Sequence, residues 1–241
     1  MSDDRQHYPG MEGVEYCPVS IGARLVGDRW SLLIVRELLV GATRFNEIQR
    51  GLPGVSRSLL SGRLRSLERQ GLVEHQTDTA TGSYRLTKAG EDLRPVIVAL
   101  GSWTVRWRFP PPSLATPDSS LLLWRMYQGL NLDKLPPHRV TLELDFDDAE
   151  PNRGWIILDG DASSLCMEPP GHDADLIVDG SVRAWLDVWY GFRGYADVVE
   201  AGDLILKGPP HLASQLRGWF DGSAFASEIA ERRPACPPAE D

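Results

Sequence analysis

In the first half of the chain, apolar residues recur at the spacing of one helix face in three short segments. The segments begin after residues whose side chains can cap a helix, Asp28, Thr43 and Ser56. The residues that end them are Gly41, Pro53 and Gly71. The pattern therefore predicts consecutive short helices between residues 28 and 70.

After these helices the pattern changes to the alternation of a strand. Residues 72–77 and 83–86 resemble two strands, and the polar residues 78–82 between them end in glycine, as a hairpin turn often does. Thr87 then opens a last helix. Three consecutive prolines follow within 109–118, and because such a run favours an extended spacer, it separates two parts of the chain.

The second half combines strand and helix patterns. The predicted strands are 139–146, 155–160, 175–180 and 202–208. The predicted helices run from Leu121 to Gly129, from the N-cap Ser181 through Trp189, and through Leu212, Leu216 and Phe220, and 196–200 is a short segment between the second and third of these helices. The predicted fold class is therefore α+β, with a helical domain and hairpin followed by a mixed α/β domain.

The chain has 241 residues, of which 42% are hydrophobic, and this is enough for two cores. The predicted domains are a flexible head at 1–16, a first domain at 17–108, a proline-rich linker at 109–118, a second domain at 119–231 and a flexible tail at 232–241.

The predicted helix over 56–70 has two contrasting faces. One face is apolar and spans roughly a 140° arc at about 100° per residue; it consists of Leu59, Leu60, Leu64 and Leu67. The opposite face consists of Ser58, Ser61, Gly62, Arg65 and Arg69. Arginine can bind guanine with two hydrogen bonds, and serine can contact bases or phosphates, so this face suits the major groove of DNA. Arg57 and Arg63 flank it and suit phosphates. A solvated amphipathic helix is the alternative.

The net charge of −9 conceals a difference between the two halves. Residues 17–108 carry 14 Lys and Arg against 8 Asp and Glu, whereas residues 109–241 carry 10 against 22. A local excess of positive charge favours a polyanionic partner. Two domains with ordinary surfaces could show the same difference, so the charge supports DNA binding without deciding it.

The sequence gives little support to other classes of function. No segment approaches the roughly 20 apolar residues of a membrane span, and the acidic start is unlike a secretory signal, so we expect a cytoplasmic protein without a membrane partner. Cys17, Cys166 and Cys236 lie far apart, which argues against a zinc site or a disulfide framework. The motifs of hydrolases, metalloproteases and nucleotide-binding enzymes are absent. We expect no enzyme, no cofactor and no metal.

Six segments of the first half resemble the HxlR-type winged helix-turn-helix regulators. They are Cys17-Pro18-Val19, Val26 to Leu38, Arg44 to Ile48, Gly51 to Ser56, Leu60 to Leu67 and Tyr84 to Gly90. The resemblance implies a homodimer that binds double-stranded DNA at an inverted repeat, with the hairpin as a wing that reaches the flanking minor groove or phosphates. Two-fold symmetry would separate the half-sites by about 34 Å. The candidate DNA-binding residues are Ser56, Arg57, Ser58, Ser61, Arg63, Arg65, Arg69, Arg85 and Lys88.

The last helix of the first half offers a dimerisation surface. Its apolar residues follow helical spacing and are Leu93, Val96, Ile97, Leu100 and Trp107. Pro95 near the start displaces or bends the first turns. The alternative is that this stripe packs only against its own domain.

Cys17 is a candidate thiol sensor, because some members of the HxlR family sense oxidants through a cysteine near the N-terminus. Sensing requires an accessible thiolate, and the neighbours Glu15 and Tyr16 offer no positive charge to stabilise one. A small apolar packing role is therefore the favoured interpretation.

The order of elements in the second half resembles the sterol-carrier-protein-like (type 2) fold. The resemblance is carried by the strand and helix around Trp185 and by the strand 202–208 with its closing helix. It implies a sheet and helices that enclose an apolar tunnel, and thus an effector or dimerisation domain. The candidate pocket residues are Trp124, Tyr127, Trp185, Trp189, Phe192 and Trp219. The alternative is that these aromatic residues belong to the core.

Together, the predictions describe a homodimeric DNA-binding transcription regulator whose C-terminal domain binds an apolar ligand. The alternative is a lipid-carrier or protein-interaction module with only non-specific DNA affinity. A regulator should show steep salt dependence and prefer its operator by a factor of at least about 10³.

Overall fold

The computed structural model describes residues 15–76 and 82–232. The chain forms two compact units, Met1–Ile97 and Val98–Asp241. This division falls inside a helix, whereas the sequence-based boundary lies at the proline-rich segment 109–118. The predicted head, tail and hairpin tip lie largely outside the described residues.

The N-terminal unit begins with four helices, and a capping side chain marks the start of two of them. The helices are α1 (Pro18–Val26), α2 (Arg29–Leu39), α3 (Phe45–Arg50) and α4 (Arg57–Arg69). The Asp28 carboxylate accepts hydrogen bonds from the backbone N–H groups of Trp30 and Ser31 at the start of α2. The Ser56 hydroxyl accepts one from Leu59 at the start of α4. Both predicted caps are therefore confirmed.

Two details of these helices differ from the prediction. Helix α1 was not predicted, and none of its residues is buried. Helix α3 begins after Arg44 rather than after Thr43. The Glu47 carboxylate accepts from the backbone N–H of both residues, at 2.9 and 2.8 Å, so the capping group comes from inside the helix.

The hairpin and two further helices follow, and the second of these helices continues into the C-terminal unit. Strands β1 (Val73–Gln76) and β2 (Ser83–Leu86) are antiparallel, and they are followed by α5 (Lys88–Glu91) and α6 (Arg94–Trp107). The single helix predicted after Thr87 is thus divided. Pro95 is the second residue of α6, where its missing N–H removes no helical hydrogen bond.

The C-terminal unit is built around a five-stranded sheet. The strands are β3 (Val140–Phe146), β4 (Arg153–Leu158), β5 (Ser164–Cys166), β6 (Leu176–Gly180) and β7 (Leu204–Lys207). Their order is β5-β4-β3-β6-β7; β3 and β6 are parallel and the other neighbours are antiparallel. The helices are α7 (Ser119–Gln128), α8 (Val182–Trp189), α9 (Tyr195–Glu200), α10 (Pro210–Gln215) and α11 (Ala226–Glu231).

The sheet confirms the four predicted strands and adds β5, a short edge strand. All three residues of β5 are half-buried, so they show no alternation that would identify a strand. The predicted last helix is α10 followed by a 3₁₀ turn over Leu216–Trp219, and α11 was not predicted. The fold is mixed α+β, and both faces of the sheet contribute buried residues, such as Leu142 and Thr141.

Candidate nucleic-acid interface

Helix α4 is fixed in the N-terminal unit by one face. Leu60, Leu64 and Leu67 are buried, and the helix packs against α2 and β1. Leu59 is 36% exposed, so its predicted place in the core is wrong. It lies about 100° from Leu60 around the helix, at the edge of the buried stripe.

The opposite face of α4 is open to solvent. Ser58, Gly62, Arg65 and Arg69 are exposed, and Ser61 is half-buried. A Cβ atom at Gly62 would meet no other atom within 4 Å. This face therefore has room for a partner.

The cations of α4 differ in what they contact. Arg63 forms an ion pair with Asp28, with Nε 3.4 Å from Oδ1, and Arg57 donates hydrogen bonds to side chains of α3. Arg65 donates from Nε to the backbone oxygen of Ser61 at 3.3 Å. Within the described part of the chain, Arg65 and Arg69 form no ion pair, so both charges are available to an outside anion.

The two candidate cations beside the hairpin are paired with acids. Arg85 donates from Nε to Glu74 on the opposite strand at 2.7 Å, in agreement with the register of the hairpin. Lys88 Nζ lies 2.8 Å from Asp92 Oδ1, and this hydrogen bond raises the pKa of the Lys88 ammonium group. Both cations would have to exchange a carboxylate for a phosphate in order to contact DNA.

The turn between α3 and α4 is held by residues that the sequence analysis missed. Glu37 is fully buried, and Arg36 donates from Nη2 both to its carboxylate and to the backbone oxygen of Gly51, at 2.5 and 3.2 Å. A Cβ atom at Gly51 would lie 1.9 Å from Glu37 Oε2. Gly54 has φ of +81°, which favours glycine. A carboxylate inside an apolar helix was the signal that could have identified Glu37.

The predicted dimerisation residues lie on α6 and just before it. Val96, Leu100 and Trp107 are 49%, 49% and 60% exposed, while Leu93 and Ile97 are half-buried. Trp103, which was not predicted, is 55% exposed on the same helix. Large apolar side chains at this exposure are typical of a surface that binds another protein.

Cys17 lies at the N-cap of α1 and is half-buried. The backbone N–H of Ser20 and then that of Val19 lower the pKa of its thiol. Donors at the start of a helix therefore favour the thiolate, although no positive side chain is next to Cys17 in the sequence.

The predicted pocket residues are distributed over several places in the C-terminal unit. Trp124, Trp185 and Trp219 are buried, and Tyr127, Trp189 and Phe192 are half-buried. Trp185 and Trp189 line one crevice, whose volume is about 20 Å³. Trp124 stacks with Tyr127 at 5.6 Å between ring centres, and Phe192 stacks with Phe109 at 6.0 Å.

Two further observations concern metal binding and membrane-spanning helices, and both are limited to the described residues. These residues contain no group of three or more His, Cys, Asp and Glu side chains that could hold a metal ion. None of their helices has the length and apolar character needed to cross a bilayer.

Comparison with known proteins concerns mainly the N-terminal unit. The model of the HxlR-like helix-turn-helix family matches residues 25–110. An uncharacterized HTH-type transcriptional regulator of Mycobacterium tuberculosis is 48% identical over 82 residues, which are 33% of this chain and 51% of that protein. The chain thus spans about half the length of this relative.

Two proteins of Bacillus subtilis are also similar. The uncharacterized HTH-type transcriptional regulator YvaP is 36% identical over 104 residues, which are 42% of this chain and 96% of YvaP. The solved structure of the reduced transcriptional regulator YodB is 33% identical, with a TM-score of 0.35, over 40% of this chain and 98% of YodB.

Proposed function

The chain belongs to the HxlR-like helix-turn-helix family, and we propose that it is a transcriptional regulator that binds double-stranded DNA with α4 in the major groove. The observation that carries this proposal is the division of α4 into two faces. Leu60, Leu64 and Leu67 fix one face in the core, while Arg65 and Arg69 are exposed without a carboxylate among the described residues.

The proposed regulator is a homodimer that binds an inverted repeat. The exposed Val96, Leu100 and Trp107 support α6 as the dimerisation helix, because a second copy would cover this apolar surface. Two-fold symmetry then places the half-sites about 34 Å apart. In each copy, the hairpin acts as the wing and brings Arg85 and Lys88 near the flanking phosphates.

A further part of the proposal is control by an apolar ligand in a sterol-carrier-like C-terminal unit. Its support is the presence of Trp185 and Trp189 at a crevice, but the volume there is about 20 Å³. Because a drug-sized ligand occupies a pocket of roughly 300–1,000 Å³, side chains would have to move for one to bind there. The alternative function, a lipid carrier, has the same difficulty.

The test of DNA binding uses the full chain and two duplexes of equal length and composition. One carries the DNA upstream of the gene for this protein, and the other carries the same bases in scrambled order. Fluorescence anisotropy from about 50 to 200 mM salt should show a steep salt dependence and a preference for the upstream duplex of at least about 10³. Equally weak binding to both duplexes would contradict the proposal.

The test of the homodimer is sedimentation velocity over a range of protein concentrations. Trp107→Asp places a charge on the apolar face of α6 and should shift the protein from dimer to monomer. The matched control Leu114→Asp replaces a side chain that is 75% exposed outside α6 and should leave the dimer intact. A wild-type monomer at all concentrations would contradict this part of the proposal.

A further inference from the structure

Three polar side chains meet between α3 and the start of α4. Arg57, the first residue of α4, donates from Nη1 to Asn46 Oδ1 and to Gln49 Oε1, at 3.2 Å in both cases. The guanidinium carbon of Arg57 lies 4.9 Å from the centre of the Phe45 ring, which adds a cation–π contact. These contacts join Asn46, Gln49 and Arg57 into one unit, which we call the amide–arginine cluster.

The contacts determine which atoms of the cluster remain available. A guanidinium group can only donate, so it must be met by the amide oxygens of Asn46 and Gln49. The amide nitrogens, which are donors, are then left for another partner. Nε and Nη2 of Arg57 also have no acceptor among the described residues. The cluster therefore offers a positive charge and several N–H donors to the same partner.

Nearby acids are engaged elsewhere and do not neutralise the cluster. Glu47 accepts hydrogen bonds from the backbone of Thr43 and Arg44, and Asp28 pairs with Arg63. Within the described part of the chain, Arg57 takes part in no ion pair. A partner with a negative charge and several acceptor oxygens fits such a group, and a phosphate has both.

The place of the cluster in the fold indicates which phosphate it would bind. In helix-turn-helix proteins, the first helix of the motif crosses the DNA backbone while the second enters the major groove. The cluster joins these two helices, α3 and α4. Asn46 and Arg57 are exposed, and the N-terminus of the 13-residue helix α4 adds partial positive charge.

We propose that Asn46, Gln49 and Arg57 bind one backbone phosphate of the DNA as a single site. Arg57 supplies the charge and also orients both amides so that their N–H groups donate to the phosphate oxygens. This inference rests on the proposed DNA binding of the chain. Because every base pair carries the same phosphates, the site fixes the position of the protein on DNA and does not read the sequence.

The first test removes the amide donors without a change of charge. Asn46→Ala/Gln49→Ala should weaken binding to the upstream and the scrambled duplex by a similar factor, about three- to tenfold, in the anisotropy assay. The slope of log affinity against log salt should stay at the wild-type value, since no cation is lost. Unchanged affinity for both duplexes would overturn the proposal. A loss confined to the upstream duplex would also overturn it, because it would indicate base contacts.

The second test separates the charge of Arg57 from its orienting role. Arg57→Ala should reduce the salt slope by about 0.9, the contribution of one phosphate contact. Arg57→Lys should keep the slope but lose affinity like the double amide variant, because an ammonium group lacks the planar fork that holds two amide oxygens. Addition of Asn46→Ala/Gln49→Ala to Arg57→Lys should then have little further effect. Fully additive losses would overturn the single-site interpretation.

Matched controls distinguish the site from a general effect of surface changes. Arg139→Ala and Gln215→Ala replace exposed residues of the same types in the C-terminal unit and should leave affinity and slope unchanged. Asn46→Asp keeps the size of the side chain and an oxygen for Arg57, but it replaces the donor nitrogen by an anionic oxygen that repels a phosphate, so it should weaken DNA binding more than Asn46→Ala without lowering the melting temperature. Wild-type protein that binds neither duplex would instead contradict the proposed function, and this inference with it.

Discussion

Three arginines of α4 differ in their partners from three arginines of the C-terminal unit. In the C-terminal unit, three arginines lie beside aspartates: Arg153 with Asp145, Arg183 with Asp148 and Arg193 with Asp203. On α4, Arg57, Arg65 and Arg69 have no carboxylate partner among the described residues. An arginine that already holds a carboxylate must give it up to bind a phosphate, whereas an unpaired one need not. Unpaired arginines on one helix therefore support the proposed DNA-binding surface on α4 better than net charge does.

The same distinction applies within the N-terminal unit. Arg85 and Lys88 beside the hairpin are paired with Glu74 and Asp92, although the sequence places them with α4 as DNA contacts. We therefore expect α4 to contribute most of the binding free energy, and the hairpin to contribute less.

The largest expected effect is the loss of the unpaired arginines. Arg65→Ala and Arg69→Ala should each weaken binding to the upstream duplex by about 1 to 3 kcal/mol and reduce its preference over the scrambled duplex, if they contact bases. Arg193→Ala, which removes a paired arginine from the C-terminal unit, is the matched control and should leave DNA affinity unchanged. Wild-type affinity in both α4 variants would refute this placement of the groove-facing side.

A gain of affinity is expected when a paired cation is released. Glu74→Gln removes the carboxylate that holds Arg85 and one negative charge from the hairpin. Affinity for both duplexes should rise by about three- to tenfold at low salt, and the salt slope should become steeper by about 0.9. Glu200→Gln, an exposed acid of the C-terminal unit, controls for the change in net charge. If Glu74→Gln binds no more tightly than this control, the hairpin cation is not limited by its pairing.

A smaller effect is expected where a paired cation of the C-terminal unit is removed. Arg153 lies between Asp145 and Glu143, and its hydrogen bond to Asp145 raises the pKa of the guanidinium. Because the pairs are partly exposed, Arg153→Ala should lower the free energy of unfolding by only about 0.2 to 1 kcal/mol, measured by urea denaturation. DNA affinity should not fall. A loss of affinity comparable to that of Arg65→Ala would contradict the division between the units.

The buried positions of α4 could be predicted from the sequence, but the partners of its cations could not. Leu60, Leu64 and Leu67 follow helical spacing, which depends only on local geometry. The ion pair of Arg63 with Asp28 joins residues 35 positions apart, and it depends on how α4 packs beside the start of α2. Arg57 was assigned to a phosphate from its position, yet its link to Asn46 and Gln49 depends on the turn between α3 and α4.

Other errors of prediction arise because hydrophobic spacing depends on which side chains face a core. Strand β5 has only three residues, all half-buried, so it shows no alternation that would identify it, and helix α1, which was also missed, has no buried residue. Leu59 shows the opposite error, because a leucine at the edge of the stripe was assigned to the core and is exposed. Hydrophobic spacing thus identifies the elements that build a core, and it is weak for those at the surface.

The smallest expected effect concerns the Cys17 thiol in the N-terminal unit, whose ionised form is favoured by backbone N–H donors. The N–H groups of Ser20 and Val19 hold the pKa of the Cys17 thiol below its usual value, so a given thiolate fraction should be reached at lower pH in the folded chain than in the unfolded chain. In a Cys166→Ser/Cys236→Ser variant, Cys17 is the only cysteine left to be alkylated. Its rate of alkylation by iodoacetamide should rise with an inflection at lower pH in buffer than in urea. An inflection at the same or a higher pH in buffer would show that the helix donors do not stabilise the thiolate.

The same alkylated protein tests the thiol-sensor hypothesis. If alkylation of Cys17 leaves DNA affinity unchanged, Cys17 is a packing residue and the thiol-sensor hypothesis is wrong.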